Sequence, residues 1–522
     1  MGERVPGVGI GSWFSRRAAI SPHRRALTFE GRTWTFGELE ERAERLAGAL
    51  RAGGLCTGDR IAFLGLNHPA FLETLLAAAR LGAIFVPLNF RLTAPELAYI
   101  VEDAGVHTLV ADDAHRHLAE AIRGEVPVRR WIGSEAAAGI GWEALEELVS
   151  DGEAPEPLPP AGPDEVAVIM YTSGTTGRPK GAMLTHGNLL WSNLNLMHAA
   201  DVSVDDVTLV CAPLFHIGGL NVTTLATWLK GGEIILLRTF DPAVVLDLIP
   251  RHRISTMFGV PSMFLFMSQV SGFDDADLGS IRYFICGGAP VPEPLIKLYS
   301  SRGIAFLQGY GLTETAPFSL LLAAAEALSR VGSAGVAPMF TEVTLMAESG
   351  SRVSEALARG EICIRGPNVM KGYWNRPEAT REAIDERGWF HSGDIGYVDD
   401  DGFYFVVDRV KDLVITGGEN VYPAEVESVL YDHPGVREVA IVGLPDERWG
   451  EVVVAVVAPV EGATVTLPGL RDFAAGSLAR FKLPTHLELV DALPRNPAGK
   501  VLKFELRQRL CRAPDGSGSA EA

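Results

Sequence analysis

The stretch "EVAVIMYTSGTTGRPKG", Glu165 to Gly181, decides the fold. An apolar, strand-length run, Val166–Met170, passes into a loop rich in Ser, Thr and Gly that ends at Lys180. Small residues let backbone N–H groups approach an anion closely, the hydroxyls add donors, and the lysine adds a positive charge. The pattern predicts a strand followed by a loop that holds the phosphates of a nucleotide. A plain polar surface turn is the alternative.

This loop differs from the Walker-type loop of ordinary nucleotide hydrolases. A Walker loop ends in Gly-Lys-Ser/Thr and opens a helix. Here Arg178 and Pro179 precede Lys180, and a proline at this place prevents an immediate helical continuation. The loop therefore needs a different explanation from that of a Walker motif.

Outward from the loop, short Val- and Ile-rich runs alternate with helical patterns. On the N-terminal side, "RIAFLGL" predicts a strand, a helix follows over Pro69–Leu81, and "AIFVPL" predicts the next strand. On the C-terminal side, "TLVCAPLF" predicts a strand, and Ile217–Lys230 predicts a helix closed by two glycines. Such alternation is typical of an α/β fold with largely buried sheets.

The chain is long enough for more than one domain, and its composition changes near the end. We expect a large N-terminal α/β domain over residues 1–407, a hinge at 408–411, and a small mobile α+β domain over 412–512. The hinge is placed in the charged segment "DRVKD" between two strand patterns. The polar tail, residues 513–522, is predicted to be disordered.

Charge and cysteine usage exclude several functional classes. The net charge of −19 argues against a general nucleic-acid binder, which needs a basic face. The five cysteines are scattered, which favours a reducing, cytoplasmic setting without a disulfide frame or zinc cluster. No signal peptide and no membrane-spanning run are predicted. At most, the basic segment Arg16–Arg25 could contact a membrane surface, although a solvated helix face is favoured.

Seven further motifs follow the loop in chain order and carry a family resemblance. They are "PLFHIGG", "ICGGAP", "QGYGLTET", "GEICIRGPNVMKGYW", "GWFHSGD", "DRVKDLVITGGENVYPAEVE" and "PRNPAGK". With the loop they resemble the adenylate-forming (ANL) superfamily, in particular its acyl-CoA synthetases and fatty-acid–CoA ligases, over residues 30 to 510. The resemblance implies that a carboxylic acid and ATP give an acyl-adenylate and pyrophosphate, and that coenzyme A then gives acyl-CoA and AMP. ATP, Mg²⁺ and coenzyme A are the implied cofactors.

The resemblance assigns nucleotide-binding roles to individual residues. Tyr310 offers a ring on which adenine can stack, and Glu314 is a hard oxygen ligand suited to Mg²⁺. Asp394 can accept hydrogen bonds from both ribose hydroxyls, and Arg409 can add a second contact. The implied nucleotide-binding set comprises Thr172, Ser173, Gly174, Thr175, Thr176, Gly177, Lys180, Gly287, Gly288, Ala289, Gln308, Gly309, Tyr310, Gly311, Thr313, Asp394 and Arg409.

The C-terminal motifs imply two half-reactions served by one mobile domain. Lys500 is expected between the substrate carboxylate and the α-phosphate, where a cation offsets charge that grows during attack. Lys411 matches the hinge of the family. The implied coenzyme A contacts, in the "TGGEN" loop and on two aromatic rings, are Gly417, Gly418, Glu419, Trp449 and Phe481. Because no carrier module follows in the sequence, free coenzyme A is the expected thiol acceptor.

The resemblance also implies a role for the phosphate loop. The loop is expected to hold the β- and γ-phosphates of ATP as a leaving group, and Thr175 is among the implied catalytic residues.

The acid is less well defined by the sequence. His216 is expected near the acid carboxylate, and the absence of an aspartate beside it argues against amino acid substrates. Phe258, Met263, Phe264, Phe266 and Met267 predict an apolar wall, which favours a medium- or long-chain fatty acid. An aryl acid of the coumarate or benzoate kind is the main alternative. A luciferase-like oxygenase and a non-catalytic binding protein also remain open, and the oligomeric state is not predicted.

Overall fold

The structure is a computed structural model. It describes residues 7–135, 141–156, 159–172, 179–289, 291–347, 349–409, 412, 414–416, 419–446, 449–475, 477–478, 480–495 and 501–512, with only the backbone described at 408, 409, 415, 419, 420 and 512. Among these residues, none of the helices combines the length and the apolar character that crossing a membrane requires.

Strands and helices alternate along the described chain as the sequence predicts. The strands are β1 Arg25–Phe29, β2 Arg32–Thr35, β3 Arg60–Leu64, β4 Ile84–Leu88, β5 Val106–Ala111, β6 Arg130–Gly133, β7 Glu143–Ala144, β8 Val166–Thr172, β9 Lys180–Thr185, β10 Val207–Val210, β11 Glu233–Leu236, β12 Thr256–Gly259, β13 Tyr283–Gly287, β14 Ala305–Gly311, β15 Phe318–Leu322, β16 Glu342–Met346, β17 Gly360–Arg365, β18 Gly372–Tyr373, β19 Phe390–Val398, β20 Tyr404–Arg409, β21 Val414–Thr416, β22 Glu419–Val421, β23 Val436–Asp446, β24 Gly450–Pro459 and β25 His486–Leu489. The α-helices are α1 Ile10–Ile20, α2 Phe36–Ala52, α3 Pro69–Leu81, α4 Ala94–Ala104, α5 Arg116–Ile122, α6 Leu145–Asp151, α7 His186–Ala199, α8 Leu225–Lys230, α9 Pro242–His252, α10 Pro261–Ser268, α11 Glu293–Ser301, α12 Pro377–Ala383, α13 Pro423–Tyr431, α14 Leu467–Ala474 and α15 Lys503–Arg512.

Two eight-stranded sheets organise the first part of the chain. One has the order β15-β14-β13-β12-β10-β11-β1-β2, and the other has the order β18-β9-β8-β4-β3-β5-β6-β7. Neighbouring strands β12, β13 and β14 run parallel, so their carboxyl ends lie at one edge. In open α/β sheets, ligands bind at such edges. The predicted α/β fold is confirmed.

Local signals explain why some elements match the sequence so closely. The helix α3 begins at Pro69, where the missing N–H costs nothing, and ends before Gly82, which adopts the left-handed conformation at φ 64°. The strand β9 directly follows Pro179 and pairs with β8 in antiparallel register, Thr172 opposite Lys180. The predicted helix over Ile217–Lys230 differs in one respect, because its first part, Gly218–Thr224, is a π-helix that continues into α8.

The chain forms two compact units. The first comprises Met1–Val343 and Cys363–His391, and the second comprises Thr344–Ile362 and Ser392–Ala522. In the second unit, β22-β21-β24-β23 form a sheet that β25 extends beside β24, and helix α13 packs on β23. A further sheet has the order β16-β17-β19-β20. The hinge at 408–411 remains a prediction, since residues 410 and 411 lie outside the described part of the chain.

Candidate functional site

Both ends of the phosphate loop are fixed by side chains of the first unit. The Tyr171 hydroxyl donates to Asp103 Oδ2 at 2.7 Å, at the end of β8. The Tyr99 hydroxyl donates to the carbonyl of Pro179 at 3.3 Å, just before β9 begins. Burial and the Asp103 carboxylate both raise the pKa of Tyr171 above its ordinary value, so this phenol stays protonated as a donor. Ser173, Gly174, Thr175, Thr176 and Gly177 themselves lie outside the described residues.

Glu314 lies beside the ends of this loop. It occupies the 3₁₀ turn Thr313–Thr315 that follows β14, and only 9% of its surface is exposed. Its Oε1 accepts a hydrogen bond from the Tyr373 hydroxyl at 2.8 Å and lies 3.5 Å from Thr172 Oγ1. The Lys180 ammonium lies 5.3 Å from the centre of the Tyr373 ring. Glu314 is thus brought beside Thr172, which is 142 residues away in the chain, and near Lys180.

The surroundings of Glu314 fit a magnesium ion. A buried carboxylate needs a compensating partner, and within the described part of the chain its hydrogen-bond partners Thr172 and Tyr373 are uncharged hydroxyls. The carboxylate raises the pKa of Tyr373 further above the value that burial alone produces, which keeps this phenol a donor rather than a competing anion. Carboxylate and hydroxyl oxygens are the hard ligands that Mg²⁺ accepts together with phosphates. When bound, the ion would neutralise charge on the phosphates of ATP.

Buried amide side chains hold the turn that carries Glu314. Asn368 Nδ2 donates to the carbonyls of Thr315 and Phe318 at 2.9 and 2.8 Å. Asn221 Nδ2 donates to the carbonyl of Ala316 at 2.6 Å. Ala316 has a positive φ of 61°, which costs energy for a residue with a Cβ and persists when its surroundings enforce it. The turn is therefore fixed from several sides.

The predicted adenine wall lies at the carboxyl edge of the first sheet. Gly287 ends β13 and pairs with Gly309 of β14, and a Cβ at Gly287 would lie 2.8 Å from the Gly309 carbonyl oxygen. Gly288, at φ 84°, and Ala289 follow as exposed backbone. Tyr310 is half-buried on β14. A side-chain-free backbone and a phenol ring thus lie on neighbouring strands, as adenine stacking requires.

The other predicted residues of the "QGYGLTET" motif, Gln308, Gly311 and Thr313, lie at or just after the end of β14. Gln308 is buried and pairs with Cys286, whereas Thr313 is half-buried beside Glu314. Gly311 leaves room for the returning chain, because a Cβ there would lie 1.6 Å from the Pro317 carbonyl oxygen. Gly287 and Gly311 are thus required because other backbone atoms approach them closely, and not for conformational freedom alone.

His216 lies in the segment between β10 and the π-helix, not at the strand end. Its Nε2 is buried and has no hydrogen-bond partner among the described residues. Burial, and then the charge of Arg91, lower the pKa of His216 to about 4, so the imidazole is neutral at pH 7. The ring of Phe215 lies 4.3 Å away between centroids. A neutral imidazole whose Nε2 carries the proton can donate one hydrogen bond to a carboxylate oxygen.

The predicted apolar wall is only partly formed. Met263, Phe264 and Met267 are buried on α10 within the core that packs against α11. Phe266 is 50% exposed on the same helix. The helical period accounts for this difference, because α10 turns three of these side chains into the core and one to solvent. Phe258 alone retains the predicted position, half-buried at the end of β12.

Phe258 is framed by glycines. A Cβ at Gly218 would lie 2.7 Å from its ring, and a Cβ at Gly287 would lie 3.6 Å from it. The ring therefore packs directly against backbone of the π-helix and of β13. Phe258 is thus half-buried beside the π-helix that follows the segment of His216.

In the second unit, Asp394 and Arg409 are opposite each other in the β19–β20 pair. Asp394 is 4% exposed, and its backbone N–H donates to Ser392 Oγ at 3.0 Å.

Of the predicted coenzyme A contacts in this unit, Trp449 is 48% exposed and Phe481 is 40% exposed. Gly450 pairs with Thr416, so Trp449 lies next to the end of the strand that leads into "TGGEN". Lys482 forms an ion pair with Glu425 at 2.5 Å.

Several predicted residues lie outside the described part of the chain. They are Lys411, Gly417, Gly418 and Lys500, together with the side chains of Arg409 and Glu419. Their assigned roles remain predictions. On either side of the segment containing Lys500, Arg495 and Val501 form an antiparallel bridge.

Sequence reasoning missed Tyr373, Asn221 and Asn368. Tyr373 stands in the quoted "MKGYW" segment, but its contact with Glu314 joins residues 59 positions apart. The signal that could have found the asparagines is their polarity within apolar surroundings, because a buried amide must be hydrogen-bonded.

The first unit thus contains a predicted phosphate loop whose described ends are hydrogen-bonded, a buried carboxylate whose surroundings fit Mg²⁺, a predicted stacking wall and a neutral histidine. The family model for AMP-binding enzymes matches residues 14–374, and that for the AMP-binding enzyme C-terminal domain matches residues 425–500.

Individual relatives resemble the chain over nearly its whole length. A feruloyl-CoA synthase of Amycolatopsis sp is 48% identical over 96% of this chain and 99% of that protein. The long-chain-fatty-acid–CoA ligase FadD13 of Mycobacterium tuberculosis is 40% identical over 96% and 98%. The solved o-succinylbenzoate coenzyme A synthetase of Bacillus subtilis, in complex with ATP and magnesium ion, is 34% identical over 95% and 98%, with a TM-score of 0.85.

Proposed function

Because the chain belongs to the AMP-binding enzyme family, among the acyl-CoA synthetases and ligases, we propose that it joins an aryl-substituted carboxylic acid to coenzyme A. ATP and coenzyme A are substrates of this family, and the class of reaction is that of an AMP-forming acid–thiol ligase. The proposal concerns which acid is used and which residues act on it.

The reaction has two steps. A carboxylate oxygen attacks the α-phosphorus of ATP, the bond to the oxygen bridging the α- and β-phosphates breaks, and pyrophosphate leaves with the bonding electrons. The thiol sulfur of coenzyme A then attacks the acyl carbon, AMP leaves, and the thiol proton passes to solvent. In this proposal the phosphate loop and Lys180 hold the leaving pyrophosphate. Glu314 holds the Mg²⁺ that accompanies ATP, and Lys500 offsets the charge at the α-phosphate.

The half-buried ring of Phe258 supports the choice of an aryl acid. Its ring lies against glycine backbone at Gly218 and Gly287, beside the segment of His216. Aromatic pairs gain stacking energy that an alkyl chain does not. The 48% identity to a feruloyl-CoA synthase supports the same choice. Neutral His216 would contact the acid carboxylate through its free nitrogen.

A medium- or long-chain fatty acid is the second candidate. The 40% identity to a long-chain-fatty-acid–CoA ligase favours it. The burial of Met263, Phe264 and Met267 removes most of the apolar lining on which a fatty acid was first preferred.

Pyrophosphate release with a panel of acids tests the proposal. The panel contains hydroxycinnamates, benzoates and straight-chain acids from C2 to C18, each with and without coenzyme A. The expected result is the highest kcat/KM with a hydroxycinnamate. A preference for C12–C18 acids would replace the aryl assignment by the second candidate, and no release with any acid would refute both.

A pair of phenylalanine variants locates the acid. Phe258→Ala should lower kcat/KM for the aryl acid by about two- to tenfold, because it removes a stacking surface worth roughly 0.5–1.5 kcal/mol. Phe266→Ala is the matched control, since this ring is exposed on α10. Equal effects of the two substitutions would contradict the role of Phe258.

A further inference from the structure

We propose that Asn221, on the π-helical turn that follows His216, is a positioning residue that fixes the Glu314 turn for the binding of magnesium-ATP. This inference rests on the proposed function, in which Glu314 holds the Mg²⁺ of ATP. Nothing in the resemblance or in the similarity to known enzymes assigns a role to Asn221.

The first observation is the π-helix itself. The backbone N–H of Leu225 donates to the carbonyl of Leu220, five residues back, instead of four. Such turns are rare, are short, and occur frequently at functional sites. Here the turn also approaches the His216 segment closely, because a Cβ at Gly219 would lie 2.2 Å from the Pro213 carbonyl oxygen.

The second observation is that the Asn221 amide is fully engaged. Its Nδ2 donates to the Ala316 carbonyl at 2.6 Å and lies 3.4 Å from the Leu189 carbonyl. Its Oδ1 accepts from Asn193 Nδ2 at 3.0 Å. Asn221 and Asn193 are 0% and 1% exposed. Hydrogen bonds shielded from water are costly to break, because the freed group finds no replacement partner.

The third observation is what Asn221 holds. Ala316, two residues after Glu314, has a positive φ of 61° although it carries a Cβ. A backbone of this kind relaxes unless neighbouring groups enforce it. Asn368 holds the carbonyl of Thr315, before Ala316, at 2.9 Å. The Asn221 amide therefore connects the strained residue Ala316 to the π-helix that follows His216. We infer that loss of this bond lets the turn relax and moves the Glu314 carboxylate away from the ion.

The test measures binding of magnesium-ATP by calorimetry, without any acid. Asn221→Leu keeps a similar volume but can neither donate to Ala316 nor accept from Asn193, and Asn221→Ala removes both bonds with a smaller side chain. The expected result for each is a Kd for ATP raised about tenfold at low millimolar Mg²⁺, with most of the loss recovered when Mg²⁺ is raised tenfold. Recovery by the ion is a response that a purely structural defect would not give.

Thr208→Val is the matched control. Thr208 Oγ1 shares a 2.6 Å hydrogen bond with Thr227 Oγ1, and both residues are buried in the first unit away from the Glu314 turn. This variant should lose a comparable amount of thermal stability with an unchanged Kd. An unchanged Kd in both Asn221 variants, or a raised Kd that Mg²⁺ does not recover, would overturn the inference. Absence of ATP binding by the unaltered protein would instead refute the proposed function.

Discussion

The Glu314 turn, residues 312–317, and the aromatic pair Trp449 and Phe481 differ in how they are held. The turn is buried, its carbonyls accept from the amides of Asn221 and Asn368, and its carboxylate accepts from a phenol. The two aromatic rings are 48% and 40% exposed. The Glu314 turn is thus held by protein groups before any ligand arrives, whereas the proposed coenzyme A contacts Trp449 and Phe481 still have surface to bury. Preorganised groups contribute most to rate, and exposed rings contribute most to binding.

The largest effect should follow from Lys500→Ala, which tests whether the first half-reaction can be removed alone. We expect a loss of roughly 10²–10³-fold in acid-dependent ATP–pyrophosphate exchange, because a cation at the α-phosphate is lost. Thioester formation from supplied acyl-adenylate should be retained. Lys503→Ala is the control, since that ammonium pairs with Glu427 at 2.8 Å. An equal fall in both half-reactions would contradict the separation.

Glu314→Gln should also impair adenylation by roughly 10²-fold, because the amide is a poorer ligand for the magnesium of ATP. The side-chain volume is preserved, so the turn should stay folded. ATP–pyrophosphate exchange at increasing Mg²⁺ measures the effect. Glu326→Gln, on the surface turn after β15, provides the comparison and should behave as the unaltered protein. Full activity of Glu314→Gln would exclude Glu314 as the metal ligand.

A third prediction concerns the stability of the helix that carries Asn193. His186 begins α7, is 1% exposed, and its Nδ1 accepts from the N–H of Ile10 at 3.2 Å. Burial lowers its pKa from 6.5 to about 4. In the unfolded chain the imidazole binds a proton below about pH 6.5, whereas in the folded chain it does so only near pH 4. Stability from this residue is therefore present at pH 7 and lost as the pH falls from 6.5 to 4.

Urea unfolding at pH 7 and pH 4.5 checks this prediction. Glutamine does not titrate. His186→Gln should therefore reduce the loss of unfolding free energy between pH 7 and pH 4.5 by up to about 3 kcal/mol. The same pH dependence in the variant and in the unaltered protein would show that His186 does not contribute.

The smallest effect should follow from Trp449→Ala in the exposed pair. The KM for coenzyme A should rise about fivefold, because a stacking contact of roughly 1 kcal/mol is removed, while ATP–pyrophosphate exchange stays unchanged. Phe473→Ala is the control, since its ring is 41% exposed in the same unit. If both variants bind coenzyme A normally, the assignment of Trp449 fails.

The sequence predicts local features well and distant contacts poorly. Proline and glycine signals give the bounds of α3, and Pro179 accounts for the strand β9 after the loop. The sequence predicts Glu314 as a Mg²⁺ ligand, and the structure places this carboxylate in a buried position. By contrast, the bond from Asn221 to Ala316 spans 95 residues, and no local periodicity encodes such a pairing. Apolar composition does not say which face of a helix meets the core, so the sequence could not distinguish the buried residues of α10 from exposed Phe266.

The π-helical turn fixes the length of the chain between His216 and Gly231. A five-residue hydrogen-bonded turn contains one residue more than an α-helix would need, so it is equivalent to a single inserted residue. Deleting one residue within Gly218–Thr224 would let the segment wind as a regular α-helix and rotate the positions before the deletion by about 100° relative to α8. The indole of Trp228 on α8 donates to the Ala26 carbonyl at 2.8 Å and holds that helix in place. In an alignment of related enzymes, a one-residue gap within Gly218–Thr224 would therefore indicate that the His216 segment and the Glu314 turn are connected differently from this chain.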